Sequence, residues 1–176
     1  MCNDEIFNET YEVLKKYKIK TNYNRSNASG RKKQTHYGNK IGYIGYGCKS
    51  ENYGLVRQLI KKVGEPRIKD GVNNTRKPEI YEALKKLIHH ISPNFDYNTI
   101  TLNHNFKCIP HVDKYNTSPS LIVGIGKYTG GELVLDDAYF GIHNNPLIFN
   151  GGSIKHWVND FEGDRYSIIY FKSNDN

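Results

Sequence analysis

From residue 93 onward the chain is cut into short runs too brief for helices and too apolar to remain in water. Tyr97 to Leu102, Leu121 to Ile125, Glu132 to Leu135, Ala138 to Ile142, Leu147 to Phe149 and Arg165 to Phe171 are rich in β-branched and aromatic residues, each bounded by Gly, Pro, Asn or Asp. Six or more such strands can hide their apolar faces only by packing sheet on sheet, so the expected core over 93–176 is a sandwich or jelly roll.

The first half reads differently. Ile6, Phe7, Tyr11, Val13, Leu14 and Tyr17 recur near helical spacing over residues 4–17, and Leu55, Leu59, Ile60 and Val63 repeat the pattern over 51–63. A third helix begins at Pro78, runs through Tyr81, Leu84, Leu87 and Ile88, and stops at Ser92-Pro93. Residues 21–47, rich in Gly, Asn and Ser, read as loop with short extended pieces. The expected fold class is therefore α+β, with N-terminal helices packed on the β core. With 176 residues, one domain is expected over 1–176: a helical and basic region, 1–92, followed by the β region.

Charge is unevenly placed. Of the net +7, residues 1–12 contribute four acids and no base, whereas 13–50 carry ten bases and no acid. Basic residues interleaved with Tyr17, Tyr23, His36, Tyr37, Tyr43 and Tyr46 suit a phosphate backbone with bases stacked on rings; a solvated lysine-rich surface is the competing reading. Only 37% of residues are hydrophobic, yet 14 Tyr and 7 Phe supply enough buried area to exclude wholesale disorder. Cys2, Cys48 and Cys108 are an odd, widely separated set, which points to free thiols. No run of about 18 apolar residues exists, and the acidic start lacks the basic and apolar regions of a secretory leader. The expectation is an intracellular monomer with no membrane contact, in cytoplasm or nucleus, or in a viral factory if the source is a virus.

The chemistry begins at His111-Val112-Asp113. In extended backbone, residues two apart face the same way, so an imidazole and a carboxylate can enter one barrel mouth together. Alone the pair is weak evidence. His156 follows after several expected strands, and two imidazoles with one carboxylate form the facial triad that holds Fe(II) with three coordination positions open. Nine residues later Arg165-Tyr166-Ser167 opens a strand, where a guanidinium and a hydroxyl can hold a carboxylate.

Three stretches carry a family resemblance: Asn103 to Lys114, Gly124 to Leu133, and His156-Trp157 with Phe161 to Ser167. Together they resemble a small 2-oxoglutarate/Fe(II)-dependent dioxygenase over residues 97–171. Within that superfamily the chain is most similar to compact members of the TET/J-binding-protein type, found in protists and large DNA viruses, whose relatives oxidise methyl groups on DNA bases. The resemblance implies a double-stranded β-helix, with Fe(II) held by the catalytic triad His111, Asp113 and His156. Arg165 and Ser167 would bind the distal carboxylate of 2-oxoglutarate, and Asn103 or Asn105 its chelating end. O2 would be the second cosubstrate, with ascorbate stimulatory. A substrate C–H becomes C–OH while 2-oxoglutarate becomes succinate and CO2.

Substrate is the open question. A methylated nucleobase, 5-methylcytosine or thymine, is favoured by the basic segment, with Asn105, Asn116, Arg31, Lys32, Lys33 and Tyr37 as candidate substrate contacts, of which Asn116 would suit a base edge or a peptide group alike. A peptidyl hydroxylase of the prolyl or lysyl type would use the same iron site, and a non-enzymatic basic nucleic-acid-binding module is the alternative outside enzymes. The chain lacks the cysteine-rich zinc region of the animal TET enzymes. Residues 25–47 could cover the active-site mouth. Gly130-Gly131 and Gly151-Gly152 read as tight turns, and Cys108 as an apolar packing residue.

Overall fold

The computed structural model describes residues 3–22, 32–37, 40–44, 48–58, 63–114 and 116–173, with backbone alone at 3, 32–37 and 40–44. In chain order these form α1 (Asn3–Leu14), β1 (Thr21–Asn22), β2 (Lys32–Tyr37), β3 (Lys40–Ile44), β4 (Cys48–Arg57), β5 (Ile68–Asp70), α2 (Asn73–Arg76) and α3 (Pro78–Ile91). There follow β6 (Thr99–His104), β7 (Ser120–Gly130), β8 (Leu133–Leu135), β9 (Ala138–Phe140), β10 (Leu147–Phe149), β11 (His156–Val158) and β12 (Phe161–Phe171).

A large sheet runs β1-β4-β6-β12-β7-β10, with β5 on β4, and a small sheet runs β11-β8-β9; β2 and β3 form a separate hairpin. Every strand pairing among them is antiparallel. Side chains alternate across the large sheet, and the two faces have different partners. Tyr53, Ile100, Leu102, Leu121, Val123, Ile125, Tyr166, Ile168 and Tyr170 pack on Ile6, Phe7 and Leu14 of α1 and Leu84, Leu87 and Ile88 of α3. The opposite face meets the small sheet, where Ile122 and Ile169 join Leu133, Leu135 and Phe149 in a second cluster.

The helices form where local signals coincide. Asp4 and Glu5 sit in the first turn of α1, where the helix dipole favours negative charge, and Ile6, Phe7, Thr10, Tyr11 and Leu14 make its buried stripe. α3 has Pro at its first turn and ends where Ser92 N–H returns to the Ile88 carbonyl, immediately before Pro93. The Tyr170 hydroxyl donates to the Leu84 carbonyl at 2.6 Å and ties α3 to β12.

Two expectations change. The helix expected over 51–63 is instead β4 through Arg57, and Leu59 and Ile60 lie outside the described residues. Val63, a core position of that helix, is fully exposed, whereas Tyr53 is fully buried against the α1 and α3 side of the sheet. Gly54 has φ +78, and a β-carbon there would collide with the Asn98 carbonyl, so this strand needs glycine where a helix would be weakened by it. Pairing with β6, from Ser50↔Asn103 to Gly54↔Thr99, overrides the local helical spacing. Residues 1–92 are accordingly not simply a helical region, since β4 lies between β1 and β6 inside the large sheet. Glu51 is buried on the helix side, paired with Lys77 and accepting from the Tyr53 hydroxyl, which fixes β4 against the start of α3. The helix expected over 4–17 ends at Leu14, and β12 and β7 extend beyond their expected limits.

Candidate metal centre

His111, Asp113 and His156 come from two places in the chain that backbone hydrogen bonds hold together. His111 and His156 exchange N–H···O bonds of 3.1 and 3.0 Å, and Asp113 N–H donates to the Gly151 carbonyl at 2.8 Å. One ligand atom from each of the three residues lies within 4.8 Å of the others. His156 Nε2 is 3.2 Å from Asp113 Oδ2, and His111 Nε2 is 3.6 Å from Asp113 Oδ1.

The imidazoles are oriented by their own backbone. His111 Nδ1 lies 2.7 Å from the Ile109 carbonyl and His156 Nδ1 2.9 Å from the Ile154 carbonyl. A carbonyl only accepts, so each Nδ1 carries the proton and each Nε2 is the ring nitrogen turned to Asp113. Phe149 closes one side, edge-on to His156 at 5.1 Å. A β-carbon at Gly151 would stand 3.0 Å from Phe149, 3.3 Å from Asp113 Oδ2 and 3.4 Å from His156, so a larger residue there would press on the site. Two nitrogen donors and one carboxylate, with both histidines buried, fit a divalent transition metal that keeps positions open toward a cavity.

That cavity has a volume of about 800 Å³ and lies between the large sheet and the small one. The triad lines it, and so do Asn103 and Ser167, paired across β6 and β12, with Asn103 Nδ2 donating to Ser167 Oγ at 3.2 Å. Asn116 is also on its wall, its amide 3.5 Å from Ser120 Oγ. Cys108, read as a packing residue, lines the cavity as well as touching the Cys48 and Phe106 cluster.

Arg165 is 1% exposed and does not line the cavity, although it shares a strand face with Ser167, which does. Its Cζ is 5.5 Å from the Tyr128 ring centre and 5.4 Å from that of Phe161; Nη2 donates to the Gly131 carbonyl at 3.0 Å, and Nε has no hydrogen-bond partner among the described residues. Burial pushes its pKa down, against the fields of Tyr128, Cys108 and Glu132. A buried guanidinium with so few acceptors is a cation prepared for an anion, which fits a carboxylate ligand.

Asn105 is elsewhere than expected for a ligand contact. Its Oδ1 accepts the Arg165 N–H at 2.7 Å and its own N–H donates to the Arg165 carbonyl at 2.7 Å, so it locks β12 to the end of β6 and does not line the cavity. Lys32, Lys33 and Tyr37 lie on β2, paired with Ile44, Tyr43 and Lys40; Arg31 lies outside the described residues, as does much of the 25–47 segment read as a cover. Sequence reasoning missed Arg57 and Lys114 as lining residues. Lys114 was legible as the next residue after the His111 to Asp113 motif, but Arg57 was hidden by the helical reading of its segment.

No family model and no curated protein matches the sequence. Solved structures do. NgTET1 in complex with 5mC DNA superposes at TM-score 0.58 and 18% identity, over 97% of this chain and 69% of its own. OsALKBH1 superposes at 0.53 and 10%, over 96% and 92%. A Pseudomonas putida prolyl-4-hydroxylase aligns more loosely, at 0.49 and 13%, over 99% and 89%. The likeness is one of architecture: this chain has the antiparallel-sheet fold that it shares with NgTET1 and OsALKBH1.

Proposed function

We propose that the chain is an Fe(II)- and 2-oxoglutarate-dependent dioxygenase of the TET/J-binding-protein type, built on a double-stranded β-helix, that hydroxylates a methylated nucleobase. The observation that carries this reading is the His111, Asp113 and His156 cluster, with both Nε2 atoms turned to Asp113, on the wall of a cavity of about 800 Å³ whose lining residue Ser167 shares a strand face with the buried Arg165. Iron bound there would activate O2 and couple conversion of 2-oxoglutarate to succinate and CO2 with oxidation of a substrate C–H.

The chain's own residues supply placement. His111, Asp113 and His156 hold the metal on one side, leaving the cavity side for cosubstrate. Arg165 and Ser167 anchor the distal carboxylate, and Asn103 stands beside Ser167 to donate from its amide. Leu133, Phe149 and Trp157 limit water in the cavity. Arg57 and Lys114 add two cations to a lining whose one acidic residue is Asp113, which favours an anionic substrate backbone. The basic segment 13–50, with Lys32 and Lys33 on β2, supports the same reading, and a duplex base would have to be flipped out to enter.

The test is succinate formation from 2-oxoglutarate with Fe(II) and ascorbate, with and without DNA containing 5-methylcytosine, using Asp113→Ala as the blank. Succinate that rises with DNA, together with oxidised bases by mass spectrometry, is the expected result. Succinate indifferent to DNA would move the substrate to peptides; none at all would leave a basic binding module. Neutralising Lys32 and Lys33 should lower the slope of binding against salt by about one unit per lost phosphate contact.

A further inference from the structure

β4 changes partners in mid-strand. From Ser50 to Gly54 it pairs with β6, and from Leu55 to Arg57 with β5. The change falls at Gly54, whose N–H donates to Asn74 Oδ1 at 2.8 Å and whose carbonyl accepts from the Gly71 N–H at 2.8 Å. Alternation breaks there: Val56 and Arg57 are adjacent in sequence, yet both line the cavity, as Asn52 does before the kink. One strand therefore presents an amide, an apolar wall and a cation to the same space.

The Asn52 amide is held in one orientation. Across the pairing with β6, the Thr101 hydroxyl donates to Asn52 Oδ1 at 2.7 Å, and Asn73 Nδ2 donates to the Asn52 backbone carbonyl at 3.1 Å. With Oδ1 turned to Thr101, Nδ2 is the end of the amide left for the cavity, and its two N–H groups have no acceptor among the described residues. The cosubstrate does not supply one. Asn52 and Thr101 stand two residues along the sheet from Asn103 and Ser167, and β4 is two strands from β12. At about 3.4 Å per residue and about 4.8 Å per strand, the Asn52 backbone is about 12 Å from that of Ser167, farther than a five-carbon acid anchored there extends.

We propose that Asn52 is a specificity residue for the target base, donating from Nδ2 to a ring carbonyl of a methylated pyrimidine while Arg57, beyond the kink, meets the phosphate backbone. The inference rests on the nucleobase reading above. An amide end that can only donate needs an acceptor, and the exocyclic oxygen of a pyrimidine is one. N6-methyladenine has no exocyclic oxygen and leaves the contact unmade, which is how a site built to hydrogen-bond its substrate rejects an analogue.

Anaerobic fluorescence anisotropy of the protein loaded with Fe(II) and 2-oxoglutarate tests this, with two single-stranded oligonucleotides alike except for one central base, 5-methylcytosine or N6-methyladenine. Wild type should favour the first by roughly fivefold, the worth of one hydrogen bond. Asn52→Asp keeps the acceptor for Thr101 and removes the donors, so it should abolish that preference. Its added charge would weaken both oligonucleotides alike, so the ratio of the two affinities is the readout. The double variant Asn52→Leu, Thr101→Val replaces both polar ends with apolar groups of similar size, leaves no hydroxyl unpaired and should lose the preference too. A preference that survives in either variant, or none in wild type, would overturn the inference and leave the dioxygenase reading standing. Wild type that binds neither oligonucleotide would overturn the nucleobase reading with it.

Discussion

Residues 165–170 place two kinds of side chain on opposite faces of one strand. Tyr166, Ile168 and Tyr170 turn to α1 and α3 and are almost wholly buried in the main apolar core. Arg165, Ser167 and Ile169 turn the other way, and of these Ser167 and Ile169 line the cavity. The first face gains stability by burying apolar area, at about 1.5–3 kcal/mol per large side chain. The second keeps a buried cation with few acceptors and an asparagine and serine paired at the cavity floor. Stability and chemistry thus alternate residue by residue, and only the strand's period of two separates them.

The sharpest way to break this comparison is to damage each face alone. Asp113→Ala should abolish iron-dependent turnover and metal binding while leaving the urea midpoint of the metal-free protein nearly unchanged. Leu121→Ala, on the helix face and 1% exposed, should lose about 2–5 kcal/mol in urea unfolding and keep succinate output per folded molecule. Turnover lost in the Leu121 variant under folding conditions would show that the faces are not independent.

Arg165→Met tests whether the cavity face trades stability for ligand binding. The 2-oxoglutarate concentration needed for half-maximal turnover should rise by at least about tenfold. The ligand-free protein should become more stable, because a buried cation with one backbone acceptor gives way to an apolar chain of similar length. A fall in its melting temperature would mean that the guanidinium is a structural element first.

The smallest effect concerns the junction of the two faces. Burial pushes the Asp164 carboxyl up, but hydrogen bonds involving His104, Tyr11 and Asn105 outweigh it and hold its pKa below the ordinary value. A depressed folded-state pKa means the ionised form stabilises the fold: the contribution is complete above the unfolded pKa of about 4 and is lost as pH falls through the folded value. The side chain is 36% exposed, so solvent screening limits this to under about 1 kcal/mol. The urea-stability gap between wild type and Asp164→Asn should be present at neutral pH and close on acidification; a gap that widens below about pH 4 would reverse the assignment.

The triad was legible because its residues are chemically uncommon and stand at a spacing that extended backbone turns to one side. The helix at Pro78 was legible because its start and stop signals are local. β4 was not: Leu55, Leu59, Ile60 and Val63 imitate a helical stripe, while the partner that makes the segment a strand is β6, some fifty residues away. Asn105 was misjudged for a related reason, since an amide can serve a ligand or a backbone, and only the closeness of Arg165 shows that this one serves the backbone.

By itself, then, the sequence determined the class of core, a donor set that could hold a metal and the basic segment, because periodicity and donor chemistry are properties of a few adjacent residues. Tertiary structure alone decided which strand completes the large sheet, that Arg57 and Lys114 reach the cavity, and that Arg165 is buried against the Tyr128 and Phe161 rings. These depend on long-range strand pairing, and no local pattern records where a distant strand will dock or which polar groups it will leave unmet.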